Sequence, residues 1–364
     1  MSRRCPSYGA FWLLGFFPTK SYHSPEIGSI LPRTTSARPK KGKKMAKNSR
    51  LIDIHQHYLL DEYKQALATL GIGGSAERSW PDWSPAKTDD IMAKAGIDCA
   101  VMSIASPGTY FGDIVFTKKL VATCNDGFAR LVGDNAKRFG ALGMVSLPDP
   151  AQAAREAEYV LDVLKLDGFG LVSHYDDIYI GDPEWNEFYA ELDKRNAVVF
   201  VHPVRPMQAG RAIYHFPSGF VELVAASGRV IANLLATGTL EKFPNIRWII
   251  PHAGGIMTSI LYRLSKFDTM RAFKHNVPKG VHTYLNKLYF DMAQATDPAT
   301  LQAFFQVASK DRVMFGTDYP QAIDIDNVVQ DTLDGLDALP GFDDAARAKI
   351  MYQNALNLFP RFAQ

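Results

Sequence analysis

Cysteine is scarce: in 364 residues only Cys5, Cys99 and Cys124 occur, scattered and in no metal-like spacing. Three such thiols build no disulfide framework, which points to a reducing, cytoplasmic compartment, with Cys99 and Cys124 read as small buried hydrophobes. No apolar run approaches the roughly 20 residues of a membrane span, so no membrane partner is expected. An excess of positive charge is also missing where it would matter. Residues 1–50 hold eleven of the 40 Lys and Arg and one of the 38 acids, Glu26, leaving 29 basic against 37 acidic residues in the rest. The net charge of +2 therefore says nothing about a nucleic-acid surface, and no nucleic-acid partner is expected.

That basic stretch, rich in Ser, Pro and Lys, could not bury a core, and residues 1–48 are read as a low-complexity tail. Arg3 and Arg4 ahead of the short apolar run 10–17 give it a weak resemblance to a targeting segment. Met45, opening Met-Ala-Lys-Asn-Ser-Arg directly before the first expected strand, makes an artefact of the assumed start the preferred reading over a signal or a disordered tail. Residues 49–364 are read as one catalytic domain.

There the chain alternates between short apolar segments and amphipathic ones. Strands are expected at 51–57, 98–104, 139–146, 168–173, 198–202, 247–252, 288–292 and 312–317, apolar on both faces as parallel strands covered by helices are. Helices are expected between them, as at 151–166 and 183–195. Eight such units in about 310 residues fit an α/β fold of the (β/α)₈ TIM-barrel type with loop insertions. A doubly wound sheet would usually carry a Gly-rich phosphate turn after its first strand, and none is present. The stretches 71–85 and 205–218 are expected as long loops, the first as a lid or wall over the barrel mouth.

The first strand ends in imidazoles instead, in Leu51-Ile-Asp-Ile-His-Gln-His-Tyr58. A regular strand alternates its side chains, so His55 and His57 should face one point together with Asp53, with Ile52 and Ile54 opposite. Two nitrogens hold a divalent ion poorly. The fifth expected strand ends at His202-Pro, the sixth at Pro-His252-Ala-Gly-Gly and the eighth at Gly-Thr-Asp318-Tyr-Pro. A barrel gathers all its strand C-termini on one rim, and five polar groups there are hard to explain as packing, because buried unpaired imidazoles and carboxylates cost several kcal/mol each. His215, His275 and His282 fall outside strand ends and are read as surface or loop residues.

His-x-His, His-Pro, Pro-His-x-Gly-Gly and Gly-Thr-Asp-Tyr-Pro at these positions resemble the amidohydrolase superfamily in its branch of metal-dependent decarboxylases. The resemblance covers about residues 50–362. At the fourth strand end stand Ser173 and His174 rather than a bridging lysine, which favours a mononuclear site. The stretch from Tyr289 to Leu301 and the Leu-Phe-Pro-Arg ending look like the 6-methylsalicylate decarboxylases. By this resemblance His55, His57, His202 and Asp318 hold Zn²⁺, with Mn²⁺ as runner-up, and Asp318 protonates the ring carbon of an ortho-hydroxy aromatic carboxylate. His252 acts as a base or hydrogen-bonds the substrate, and Arg263, Arg205 or His174 contact it. The alternative activity is metal-dependent hydrolysis of a lactone or ester. A homodimer or homotetramer is implied by the resemblance alone.

Overall fold

Short runs of valine, isoleucine and phenylalanine, too brief and too β-branched for helices, pair side by side as eight parallel strands. In the computed structural model, which describes residues 50–363 apart from 76–77, 105, 207–214, 218 and 322–326, these are β1 (Ile52–His57), β2 (Cys99–Ser103), β3 (Phe139–Ala141) and β4 (Phe169–Val172). They continue as β5 (Val198–His202), β6 (Arg247–Ile250), β7 (Tyr289–Asp291) and β8 (Val313–Met314). The proposed basic tail lies outside the described residues, as does most of the expected loop 205–218.

The strands run in chain order in two stretches, β1 to β3 and β4 to β8. Two parallel bridges, Gly143 with Phe169 and Gln56 with Tyr319, join them at both seams. Backbone bonds support each seam, with Gly170 N donating to Gly143 O at 2.9 Å and Ile54 N to Phe315 O at 3.1 Å. Eight parallel strands closed in sequential order are the expected (β/α)₈ barrel. β3 and β8 are shorter than expected because the residues beyond them meet their neighbours only at such single bridges and bonds.

The helices start where a side chain satisfies the free backbone donors of the first turn. Ser84 caps Pro85–Ala95, Asp113 caps Ile114–Asp134, Asp149 caps Pro150–Glu158 and Asp297 caps Pro298–Phe304. In three of the four, proline follows the cap, at a position whose N–H would be unpaired anyway. Their apolar faces pack on the outside of the barrel. Inside its lower end, Ile52, Ile54, Val198, Phe200, Ile249 and Met314 form a second buried cluster, stoppered by Leu358, Phe359 and Phe362 from the C-terminal segment. The helix Gly219–Ala236 is 18 residues long with a mean hydropathy of 1.4, nearer the length of a membrane span than the sequence reading allowed; Ala226, Val230, Ile231 and Leu234 bury one of its faces.

Candidate metal centre

β1 does not alternate regularly. Its pairing with β2 slips between Asp53 and Gln56, a β-bulge that turns the following residues over. This corrects the simple alternation expected for the strand. Asp53 turns away from the imidazole nitrogens and accepts from the backbone N–H of His55 (3.0 Å), Gln56 Nε2 (2.7 Å), Thr317 Oγ1 (2.6 Å) and Thr317 N (3.1 Å), sewing β1 to the segment after β8. Burial raises its carboxyl to about 6. Ile52 and Ile54 join the apolar plug inside the barrel, and His55 and His57 follow them inward, just above Phe200.

There the structure brings His55, His57, His202 and Asp318 together, one ligand atom from each lying within 4.8 Å of all the others. All four are buried. Asp318 Oδ1 is the common point, at 2.9 Å from His57 Nε2, 3.3 Å from His55 Nε2 and 3.9 Å from His202 Nε2. Each imidazole is held by its other nitrogen: His55 Nδ1 by Asp291 Oδ2 (2.8 Å), His57 Nδ1 by Ser103 Oγ (3.2 Å) and His202 Nδ1 by the Pro203 carbonyl (2.8 Å). An acceptor at Nδ1 keeps the hydrogen there for His55 and His202, which leaves the Nε2 lone pairs facing inward. Both of those Nε2 atoms are buried with no hydrogen-bond partner. Orphaned lone pairs in a dry site are costly, and a cation is what they fit. Four ligands about 2.0–2.2 Å from one ion in a tetrahedron sit roughly 3.3 Å apart, within the spread of these distances.

The electrostatics of the metal-free centre follow from its geometry. Burial opposes charge on His55, but the carboxylates of Asp291 and Asp318 outweigh it and push the ring up to about 10. Burial pushes His202 down to about 3 and lowers His57 as well. Burial would raise Asp318, yet the His55 charge and three imidazole contacts hold it well below the usual carboxylate range. One imidazolium between two carboxylates thus stands where an ion would. Because the folded value for His55 lies above its ordinary 6.5, its stabilisation is full below about pH 6.5 and lost as the pH climbs through about 10. Chelator-treated protein should lose on the order of a few kcal/mol of unfolding free energy across that window, and His55→Gln should flatten the slope. Urea unfolding from pH 6 to 10 measures this; identical slopes in the two proteins would exclude His55 as its source.

The rim itself is strained. His252, Ala253, Gln294 and Asp318 all have left-handed backbone, with φ of 56°, 51°, 53° and 65°. Residues other than glycine adopt it at a cost and gather at working sites. Gly316 stands behind His55 because a Cβ there would come 2.9 Å from that residue's Cβ. At Gly255, with φ of 60°, a Cβ would lie 2.1 Å from the Val224 carbonyl, so the turn after His252 requires glycine there.

The centre opens into a cavity of about 510 Å³. His202, Asp318 and His252 line it, and Pro217, Phe220, Leu223 and Val224 give it an apolar wall. His252 Nδ1 donates to the Ala293 carbonyl at 2.9 Å, which presents the Nε2 lone pair. Gln294 also lines the cavity and donates to Asp318 Oδ2 at 2.5 Å, fixing the oxygen that the histidines leave. Of the three expected substrate contacts, none is among the described lining residues. Arg263 is exposed on the helix Met257–Leu264, Arg205 is half-buried beyond β5, and His174 is tied to Ser173 Oγ (2.9 Å) and stacked on Tyr179. His215, His275 and His282 are exposed.

Arg78, which the sequence reading did not single out, does line the cavity. It comes from the small hairpin Gly74–Ser75 with Arg78–Ser79, inside the loop expected as a wall, and donates to the Gln321 carbonyl at 3.3 Å. It is the only cation in residues 71–85, a signal that was there to be read. Gln294 and Asp291 sit at the C-terminal end of β7, and the strand-end criterion that found Asp318 would have found them.

A family model described as amidohydrolase matches residues 52–361. The 6-methylsalicylic acid decarboxylase of Penicillium expansum is 28% identical over 280 residues, covering 74% of this chain and 85% of that one. A crystal structure described as an amidohydrolase II is 26% identical with a TM-score of 0.78, over 85% of this chain and 99% of the other. A dihydroxybenzoic acid decarboxylase from Polaromonas sp. JS666, solved with bound manganese and the inhibitor 2-nitroresorcinol, is 20% identical with a TM-score of 0.71, over 86% and 97%.

Proposed function

The chain belongs to the amidohydrolase family, and from that premise we propose that it is a metal-dependent decarboxylase acting on an ortho-hydroxy aromatic carboxylate of the 6-methylsalicylate or γ-resorcylate kind. The observation that carries the reading is the set of three anchored, inward-facing imidazoles around one carboxylate, at the floor of a cavity large enough to admit a substituted ring. Three nitrogens and one oxygen suit Zn²⁺, ahead of Mn²⁺. His55, His57, His202 and Asp318 would hold a divalent ion, which would supply Lewis acidity toward the substrate's oxygens.

The chain's own groups account for the proton. Loss of CO₂ from an aromatic ring requires a proton on the carbon that bears the carboxylate, since otherwise an aryl anion would form. His252 Nε2 accepts the phenolic hydrogen, which enriches the ortho carbon in electrons. Asp318, resting ionised, must take up a proton before giving one, and the imidazolium formed at His252 on the wall of the same cavity is its source. Asp318 then protonates the ring carbon. The bond to the carboxylate breaks, its electron pair restores the aromatic ring, and CO₂ leaves. The wall of Pro217, Phe220, Leu223 and Val224 favours an alkyl substituent there over another hydroxyl.

Arg78 meets the substrate carboxylate from the hairpin side. Arg78→Met should raise KM about tenfold with kcat nearly unchanged, the loss of one solvent-screened charged contact, whereas Arg263→Ala should change neither. The deciding experiment is CO₂ release by the zinc-loaded protein over a panel of salicylates including 6-methylsalicylate and γ-resorcylate. Release abolished by a chelator supports the reading. A zinc-bound protein silent on the whole panel but active on lactones or esters would replace it with hydrolysis.

A further inference from the structure

Asp291, at the end of β7, is fully buried and no step above uses it. Together with His55 and His252 it forms a second group whose ligand atoms lie within 4.8 Å of one another, which by composition would pass for another metal site. Its hydrogen bonds assign it differently. Oδ1 accepts from the backbone N–H of His252 at 3.0 Å and from that of Ala293 at 2.9 Å. Oδ2 faces His55 Nδ1 at 2.8 Å. The carboxylate thus spends one oxygen on the strained turn that carries His252 and the other on the ring that carries a ligand nitrogen.

We propose that Asp291 is a positioning residue that sets the tautomer of His55, keeping Nδ1 protonated and the Nε2 lone pair free for the metal, while holding His252 against the same site. The inference rests on the metal-centre reading and is independent of which reaction follows. The packing fits it: a Cβ on Gly316 would lie 3.2 Å from both Asp291 Cβ and Cγ, so the glycine leaves the room the carboxylate occupies, and the two backbone N–H groups on Oδ1 hold it there. His55 is ringed by Phe200, His57, His202 and His252 at centroid distances of 4.8 to 5.4 Å, so its ring cannot flip to offer the other nitrogen. The tautomer is therefore decided by the group opposite Nδ1.

This sets an unusual rank order for two variants. Asp291→Asn keeps the shape and, through its amide oxygen, both backbone bonds. Its NH₂ then points at His55 Nδ1 and requires a lone pair there, which moves the hydrogen to Nε2 and directs it at Asp318 Oδ1. An amide in place of the carboxylate beside a histidine selects the wrong tautomer in this way. Asp291→Ala loses the backbone bonds and stability but leaves His55 free to take either tautomer. The full-length chain is titrated with Zn²⁺ against a competing chelating indicator, with the unfolding of each metal-free protein measured alongside.

The expected result is one zinc per wild-type chain, affinity at least tenfold weaker in the Asn variant, and an Ala variant that is less stable than Asn yet binds zinc better. Wild-type affinity in Asp291→Asn would overturn the proposal, as would a loss of affinity that follows stability, with Ala the weaker binder. Two zinc ions per wild-type chain, falling to one in both variants, would make Asp291 a ligand and overturn it too. If Asp291→Ala fails to fold, the affinity of Asp291→Asn decides alone. Wild-type protein that binds no zinc or manganese would overturn the metal-centre reading itself, an outcome distinct from all of these.

Discussion

Asp318→Asn lowers CO₂ release by about 10³-fold or more and leaves the barrel folded. Asparagine is the substitution that isolates the chemistry, because it shares with aspartate a tolerance for the left-handed backbone found here at φ of 65°. It keeps the oxygen count of a ligand only in part and removes the acid altogether. A positioned general acid contributes about 10²–10⁴ to rate, and weaker metal binding adds to the loss. Single-turnover measurement at saturating metal separates the two effects. Recovery of more than a tenth of wild-type rate under those conditions would exclude Asp318 as the ring acid.

His252→Asn is the second large effect, about 10²-fold or more in kcat, with metal content unchanged. His252 is not one of the three imidazoles around Asp318 Oδ1, and its ring hangs from the Ala293 carbonyl at the wall of the cavity. Asparagine again suits the backbone, at φ of 56°, and its amide can still donate to Ala293. What disappears is the lone pair that takes the phenolic hydrogen. Metal analysis beside kcat tests the claim: a variant that loses its ion as well would place His252 with the ligands, and one of full activity would remove it from the mechanism.

How far the sequence carries a reader depends on whether a residue's neighbours follow from its place in a strand. His55, His57, His202, His252 and Asp318 are legible because a barrel sends every strand end to one rim, whatever lies between them in the chain. Asp53 is misread from the same pattern, since a bulge between residues 53 and 56 reverses the alternation and nothing in Asp-Ile-His-Gln announces it. Arg263 lies exposed, away from the described lining of the cavity, for a different reason. Eleven residues after His252 is a distance along a helix, and the exposed side of that helix is as near in sequence as the cavity side. Arg78 is invisible until a short hairpin folds it back over the mouth, because loops take their course from what they pack on. Asp291, at the end of β7, is legible by the same strand-end argument as Asp318.

The seam between the ends of the barrel also dictates when the centre can exist. His57 and Asp318 are 261 positions apart, and they meet only where Gln56 bridges Tyr319 and Asp53 grips Thr317. A chain leaving the ribosome holds two of its histidines ready after its first strand and must wait for nearly all the rest to be made before the carboxylate arrives. Closing so long a loop is slow and entropically costly. Metal uptake therefore reports completion of the fold, and a chain cut short before β8 would display histidines but build no centre.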